Sequence, residues 1–159
     1  KVGYSTTVKP DKYDSTVLYG LEAGKYRLAL KTPKDQIINV EYTRDKSKKK
    51  AAYKKSKAIH LKSDIDSIYT STEKAARWYK VSVSSTKKRK AVTLSKDSVG
   101  GGFKFCVYQK GKRLKTVKVT KNDKVKTVKL PKKKGAYYVK VTKLTSKTTG
   151  AYYLGTYTY

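Results

Sequence analysis

Apolar and polar residues alternate with a period of two along most of the second part of this chain, the pattern of β-strands with one face on a core and one in water. In Trp78-Tyr79-Lys80-Val81-Ser82-Val83, the residues Tyr79, Val81 and Val83 share one face and Trp78, Lys80 and Ser82 the other. Phe103, Phe105 and Val107 alternate in the same way with Lys104, Cys106 and Tyr108, and Tyr137, Val139 and Val141 with Tyr138, Lys140 and Thr142. Further short strands are expected at 91–94, 113–119, 124–130 and 151–158, separated by Gly, Lys, Asn-Asp or Ser-Thr turns at the spacing of a β-sandwich. No amphipathic helix competes with them. Thr72 to Ala76 reads either as one helical turn capped by Thr72 or as a loop before the Trp78 strand.

An internal repeat with an offset of 111 residues organises the chain. Val8 through Leu30 aligns without a gap on Val119 through Val141, matching Thr16-Val17 with Thr127-Val128, Gly24 with Gly135, Tyr26 with Tyr137, and Leu28 and Leu30 with Val139 and Val141. Each copy reads as two strands, a turn closed by Gly, and a strand opening with Tyr. Residues 58–159 hold a whole module, whereas 1–45 hold only the counterpart of its last part. Either upstream sequence is missing or the protein uses a half module. Between them, residues 46–57 are rich in Lys and lack either period, which predicts an extended, solvated linker.

Charge changes the picture because of where it lies. Residues 1–45 carry eight Lys or Arg against six Asp or Glu, and residues 46–159 carry 32 against five, so nearly all of the net +29 belongs to the second part. Such a surface suits an acidic polymer or glycan, but a composition with 35 Lys among 40 basic residues looks more like a solvated coat than a recognition site. Only five of the 40 basic residues are Arg, the residue that reads phosphates and bases bidentately, which argues against nucleic acid. No run approaches the ~18 apolar residues of a membrane-spanning helix, and no signal-peptide pattern opens the chain.

The supply of reactive groups excludes most chemistry. The only histidine, His60, stands between Ile59 and Leu61, and nothing in the sequence brings it to the only cysteine, Cys106. Gly100-Gly101-Gly102 lacks the Lys-Ser/Thr ending and following helix of a phosphate loop. Asp64 and Asp66 form the one carboxylate cluster of the basic part, far from the ~6–8 oxygens calcium prefers. The expectation is therefore no enzyme, no metal and no cofactor.

Tyrosine is the remaining carrier of function, with fifteen in the chain. Tyr26, Tyr79, Tyr137 and Tyr152 are expected in the core with hydroxyls at its rim. Alternation then puts Trp78, Tyr138 and Tyr153 on outer faces beside Lys80, Lys140 and Lys143. These six are the candidate binding residues. Their aromatic rings could stack on sugars or lie along a fibrous substrate while the ammonium groups meet anions, or could simply stabilise cross-strand pairs.

The stretch Gly135-Ala-Tyr-Tyr-Val-Lys-Val-Thr-Lys, followed by Thr149-Gly150-Ala-Tyr-Tyr-Leu154, resembles the end of the bacterial pre-peptidase C-terminal domain family, which closes on a G-x-Y-x-V-x-V strand and a G-x-Y-x-L strand. Ala76 through Val83 is similar to that family's early D-x-Y-x-V strand, and Phe103 through Tyr108 to its central strand. The resemblance spans about 58–159, with an echo at 15–43. It implies an all-β, antiparallel, jelly-roll-like sandwich, here with a partial second copy of the module at the N-terminus. It also implies an accessory or adhesion module of a secreted or cell-surface protein. Two departures stand out: Arg77 or Ala76 replaces the family's Asp, removing a polar anchor, and the oxygen ligands of calcium-binding members are thin. A structural spacer in a larger surface protein is the rival reading. The apolar positions Val17, Tyr26, Leu28, Leu30, Ile38 and Val40 of the incomplete copy need a cover, and a second copy of the chain, giving a homodimer through residues 1–43, is the expected one.

Overall fold

The computed structural model describes residues 21, 24–31, 51–62, 64–69, 73–99, 101–120, 122–123 and 125–159. Most of the N-terminal partial copy and the first part of the Lys-rich stretch, 46–50, therefore lie outside the described residues, Val17, Ile38 and Val40 included.

Residues 59–158 form nine strands: β1 (Ile59–His60), β2 (Ile65–Tyr69), β3 (Arg77–Val83), β4 (Lys90–Val99), β5 (Phe103–Gln109), β6 (Lys112–Val119), β7 (Val125–Lys129), β8 (Gly135–Lys143) and β9 (Thr149–Thr158). One sheet has the order β1-β3-β8-β5-β6 and the other β2-β9-β4-β7. The strands β2 to β9 pair first with last, inward: β2 with β9, β3 with β8, β4 with β7 and β5 with β6, all antiparallel. This nested ribbon is wound so that β9 also pairs with β4, and β8 with β5. A long antiparallel ribbon rolled into two facing four-stranded layers is a jelly roll, so the chain is an all-β sandwich of that architecture. Strand β1 is an addition to it, pairing parallel to β3 with Ile59 opposite Tyr79, and Leu61 continues the contact by donating its N–H to the Lys80 carbonyl at 2.9 Å.

Alternation explains the packing. Tyr79, Val81, Val83, Phe103, Phe105, Val107, Tyr137, Val139 and Val141 from one sheet meet Ile65, Val92, Leu94, Val128, Tyr152 and Leu154 from the other in a single buried cluster. Where the strand period is kept, burial alternates residue by residue, as along the whole of β3. The β5–β6 hairpin turns on Lys110 and Gly111, both with positive φ (48° and 79°), the conformation of a two-residue turn that matches the twist of its strands. At the far end of β5, Gly102 packs so closely on Val119 that a Cβ there would overlap the Val119 carbonyl oxygen; this glycine admits a close backbone approach.

Three further expectations meet the structure here. Tyr79, Tyr137 and Tyr152 are fully buried, and the Tyr137 hydroxyl reaches the rim to donate to the Lys133 carbonyl at 2.9 Å, whereas those of Tyr79 and Tyr152 meet each other inside the core and not at its rim. Tyr26, by contrast, is exposed, and residues 24–31 carry no strand. Residues 73–76 are not helical. Instead Glu73 folds back on the first residue of β3, accepting hydrogen bonds from Arg77 Nε (2.8 Å) and Nη2 (2.5 Å). The start of β3 thus holds a bidentate ion pair. Burial alone would lower the Arg77 pKa, but the Glu73 bond, with Tyr152 and Tyr79 nearby, outweighs it and holds the guanidinium well above the usual Arg range.

Candidate functional site

Strand register turns the outer face of the five-stranded sheet into rows. One row reads His60, Lys80, Tyr138, Tyr108 and Arg113 across β1, β3, β8, β5 and β6. The next reads Trp78, Lys140, Cys106 and Thr116, and the third Thr142, Lys104 and Lys118. At about 4.8 Å between strands, the first row crosses about 19 Å of sheet. A pair of Tyr rings stands at its centre with cationic residues on both flanks.

Contacts between the rows hold these side chains in place. The Trp78 and Tyr108 rings lie 5.6 Å apart, tilted at 45°. Lys140 Nζ sits 5.5 Å from the centre of the Trp78 ring, and Lys55 Nζ lies 4.7 Å from that of Tyr138. Such cation–π contacts contribute about 0.5–1 kcal/mol at exposed sites and pin the ammonium groups over the sheet. Lys55 arrives from outside the sandwich. It belongs to a single 3-10 turn, Lys55–Lys57, just after Ala52, which is buried and whose carbonyl accepts the Trp78 N–H at 2.8 Å. The end of the stretch expected to be a linker is thus docked on β3.

Of the six candidate residues, Trp78, Lys80, Tyr138 and Lys140 come together as two crossed pairs, Trp78 opposite Lys140 and Lys80 opposite Tyr138. The other two do not join them. Lys143 pairs with Phe103 at the end of β8 and has the inward phase of Val139 and Val141. Tyr153 lies on β9, on the opposite outer face of the sandwich. The face also recruits Tyr108, Lys104, Arg113, Lys118 and Lys55, which were not among the candidates. Tyr108 was marked by its outward phase in the Phe103 strand; Lys55 had no signal beyond membership of a Lys-rich run.

Electrostatics separates the two sheets. The strands of the five-stranded sheet hold seven Lys and two Arg and no acidic residue. Those of the four-stranded sheet hold four Lys and two Asp. Lys104 faces Lys118 directly across β5 and β6, a like-charge pairing that works against the sheet. The Tyr108 phenol has its pKa pushed up, chiefly by burial and further by Cys106.

The two groups considered for catalysis are apart. His60 Nε2 is 3.0 Å from Ser82 Oγ on the β1 side. Cys106 has the outward phase but is buried, 3.3 Å from Thr116 Oγ1 on the β6 side. Strands β3 and β8 stand between them, a separation of about 14 Å. Among the described residues, no group of three or more His, Cys, Asp or Glu is placed to hold a metal ion, and no helix is long and apolar enough to cross a membrane.

No family model matches the chain, and no curated protein matches it. A search of solved structures finds it similar to the pre-peptidase C-terminal domain of collagenase from Bacillus anthracis, with 19% sequence identity and a TM-score of 0.46, covering 63% of this chain and 92% of that one.

Proposed function

We propose that this chain is a non-catalytic accessory module of a secreted or cell-surface protein, and that the outer face of its five-stranded sheet lies against an acidic polymer or glycan. The observation that supports this most is the absence of any acidic residue from five adjacent strands that carry nine basic ones, of which Arg77, buried on Glu73, and Lys143, with the inward phase, do not belong to the outer face. A solvated coat needs no such segregation, since mixed charges solubilise as well. The row of Lys80, Tyr138, Tyr108 and Arg113 offers flat rings between cations, the chemistry for a polymer with sugar rings and anionic groups. An anion bridging Lys104 and Lys118 would relieve their repulsion. The secreted setting follows the sequence resemblance to pre-peptidase C-terminal domains.

Retention on immobilised heparin and on lipoteichoic acid, followed by salt elution, tests the reading. Exposed charges are screened beyond about 8 Å at physiological ionic strength, so binding should fade well below molar salt. Lys80→Gln with Lys140→Gln should weaken it at least about tenfold, a change of ~1.4 kcal/mol. Trp78, the only tryptophan, reports contact on this face by its fluorescence. Absence of binding to either polymer would favour the spacer. A preference for DNA over both would favour nucleic acid.

A further inference from the structure

The opposite outer face, on the four-stranded sheet, has a different chemistry. Along β9 the outward residues are Tyr153, Gly155 and Tyr157, with the inward Tyr152 and Leu154 buried between them. Both outer tyrosines are exposed, at 51% and 47%. Across the sheet, Gly155 faces Thr93, which in turn faces Thr127, and Ser95 faces Tyr153. The Thr93 and Thr127 hydroxyls are 3.0 Å apart. The result is an open groove of about 380 Å³ with two Tyr rings as walls, hydroxyls on its floor, and the Asp64 carboxylate at one side.

Gly155 is the residue that makes the groove. Its backbone is not in the left-handed region, so nothing in the conformation requires glycine, and glycine inside a strand costs about 0.5–1 kcal/mol relative to alanine. What it allows is proximity: a Cβ at this position would lie 2.8 Å from Asp64 Cγ. Glycine within a strand marks a place where something approaches the backbone closely. Here it admits the carboxylate and leaves the space between the two rings open.

We propose that this groove is a binding site for a neutral carbohydrate, separate from the cationic face. The chemistry of the lining selects that class. Among the described residues no Lys or Arg lines the groove and its one charged group is acidic; the nearest cation in the register, Lys129, is turned to the Tyr159 ring at 5.3 Å, so a polyanion entering the groove meets Asp64 first. An apolar peptide would strip water from Asp64, Thr93 and Thr127 without replacing their hydrogen bonds, at about 1–3 kcal/mol for each group left unsatisfied. A pyranose presents a C–H face to a ring and hydroxyls to a carboxylate and to Thr and Ser. Two Tyr four residues apart on one strand stand about 13 Å apart, which suits several sugar units along the groove better than one.

Calorimetric titration of the full chain with neutral polysaccharides (laminarin, hydroxyethylcellulose, galactomannan and dextran) tests the site. At least one should bind, with an affinity unchanged from low to molar salt and unchanged by Trp78→Ala. Tyr153→Ala and Tyr157→Ala should each weaken that binding at least about tenfold. Thr127→Val, which keeps the shape and removes a hydroxyl, should weaken it as well, with the urea midpoint confirming that each variant is folded. No binding to any of the four by the folded parent overturns the proposal, as does binding that survives both Tyr substitutions. Binding that disappears in molar salt or with Lys80→Gln and Lys140→Gln would assign the ligand to the cationic face and overturn it too. Loss of heparin binding alone bears only on the cationic face.

Discussion

The hydroxyls of Tyr79 and Tyr152, one from each sheet, share a hydrogen bond 2.5 Å long inside the buried core. The Tyr152 ring also packs on Phe103 with centroids 4.9 Å apart, so one residue ties the layers by both polar and apolar contacts. Removing one hydroxyl takes a buried partner from the other. Tyr79→Phe and Tyr152→Phe should therefore each destabilise by about 1–3 kcal/mol, while the double variant should cost less than their sum, with a coupling of about 0.5–3 kcal/mol. Urea unfolding of the four proteins in the cycle measures it. Strict additivity would mean the two hydroxyls do not act as a unit.

Gly102→Ala places a methyl group against the Val119 carbonyl oxygen, which belongs to backbone and cannot swing aside. The Gly102 carbonyl also accepts the Leu144 N–H at 2.9 Å, so the segment is held from both sides. Overpacking of this kind costs about 1–3 kcal/mol or more. A thermal melt followed by circular dichroism should show a clear fall in Tm, and an unchanged Tm would mean that the β5 entry is loose.

Asp123, in the turn between β6 and β7, has its carboxyl held well below the usual carboxylate range, first by Lys126 and then by the Thr120 hydroxyl and N–H. A carboxyl depressed in the folded state adds stability above its ordinary pKa of about 3.9 and loses it as the pH falls toward the native value. Asp123→Asn should thus be less stable than the parent at neutral pH, with a constant gap down to about pH 5 that closes below it. Chemical denaturation across that range measures the gap. One that stays open in acid would assign the effect to shape and not to charge.

Leu28 and Leu30 are 70% and 56% exposed, and Tyr26 beside them 48%. Apolar surface of this kind is better covered than solvated, and a second copy of the chain is the cover we expect. Light scattering should find concentration-dependent association, and Leu28→Lys with Leu30→Lys should abolish it. A strictly monomeric parent would rule this out.

The fold was legible where strands kept their period over several residues. Tyr79, Val81 and Val83 alternate so cleanly that both the strand and its buried face could be read from sequence. Strand β1 showed only as a strand-like context around His60, because two residues carry no period, and β2 was not legible, because Ile65, Ile68 and Tyr69 do not alternate. The functional face was only half legible for a related reason. Phase tells which side of a strand a residue takes but not which sheet the strand joins, so Trp78 and Tyr153 read alike while standing on opposite faces. Lys55 reaches Tyr138 from 83 positions away in the chain, and only the folded arrangement reveals that contact.

Strand β6 closes one side of the five-stranded sheet, and a strand in that position offers unpaired N–H and C=O groups to any neighbour able to extend the sheet. Lys112, Arg113, Lys115 and Lys118 make it a poor template, because an approaching copy would bring its own row of positive charge. The guard holds only while those charges stand. A polyanion that neutralises them would also lower the barrier between neighbouring copies, so molecules crowded on such a polymer would be free to join edge to edge where molecules in solution repel. Coverage of the surface would then rise more steeply than independent binding allows.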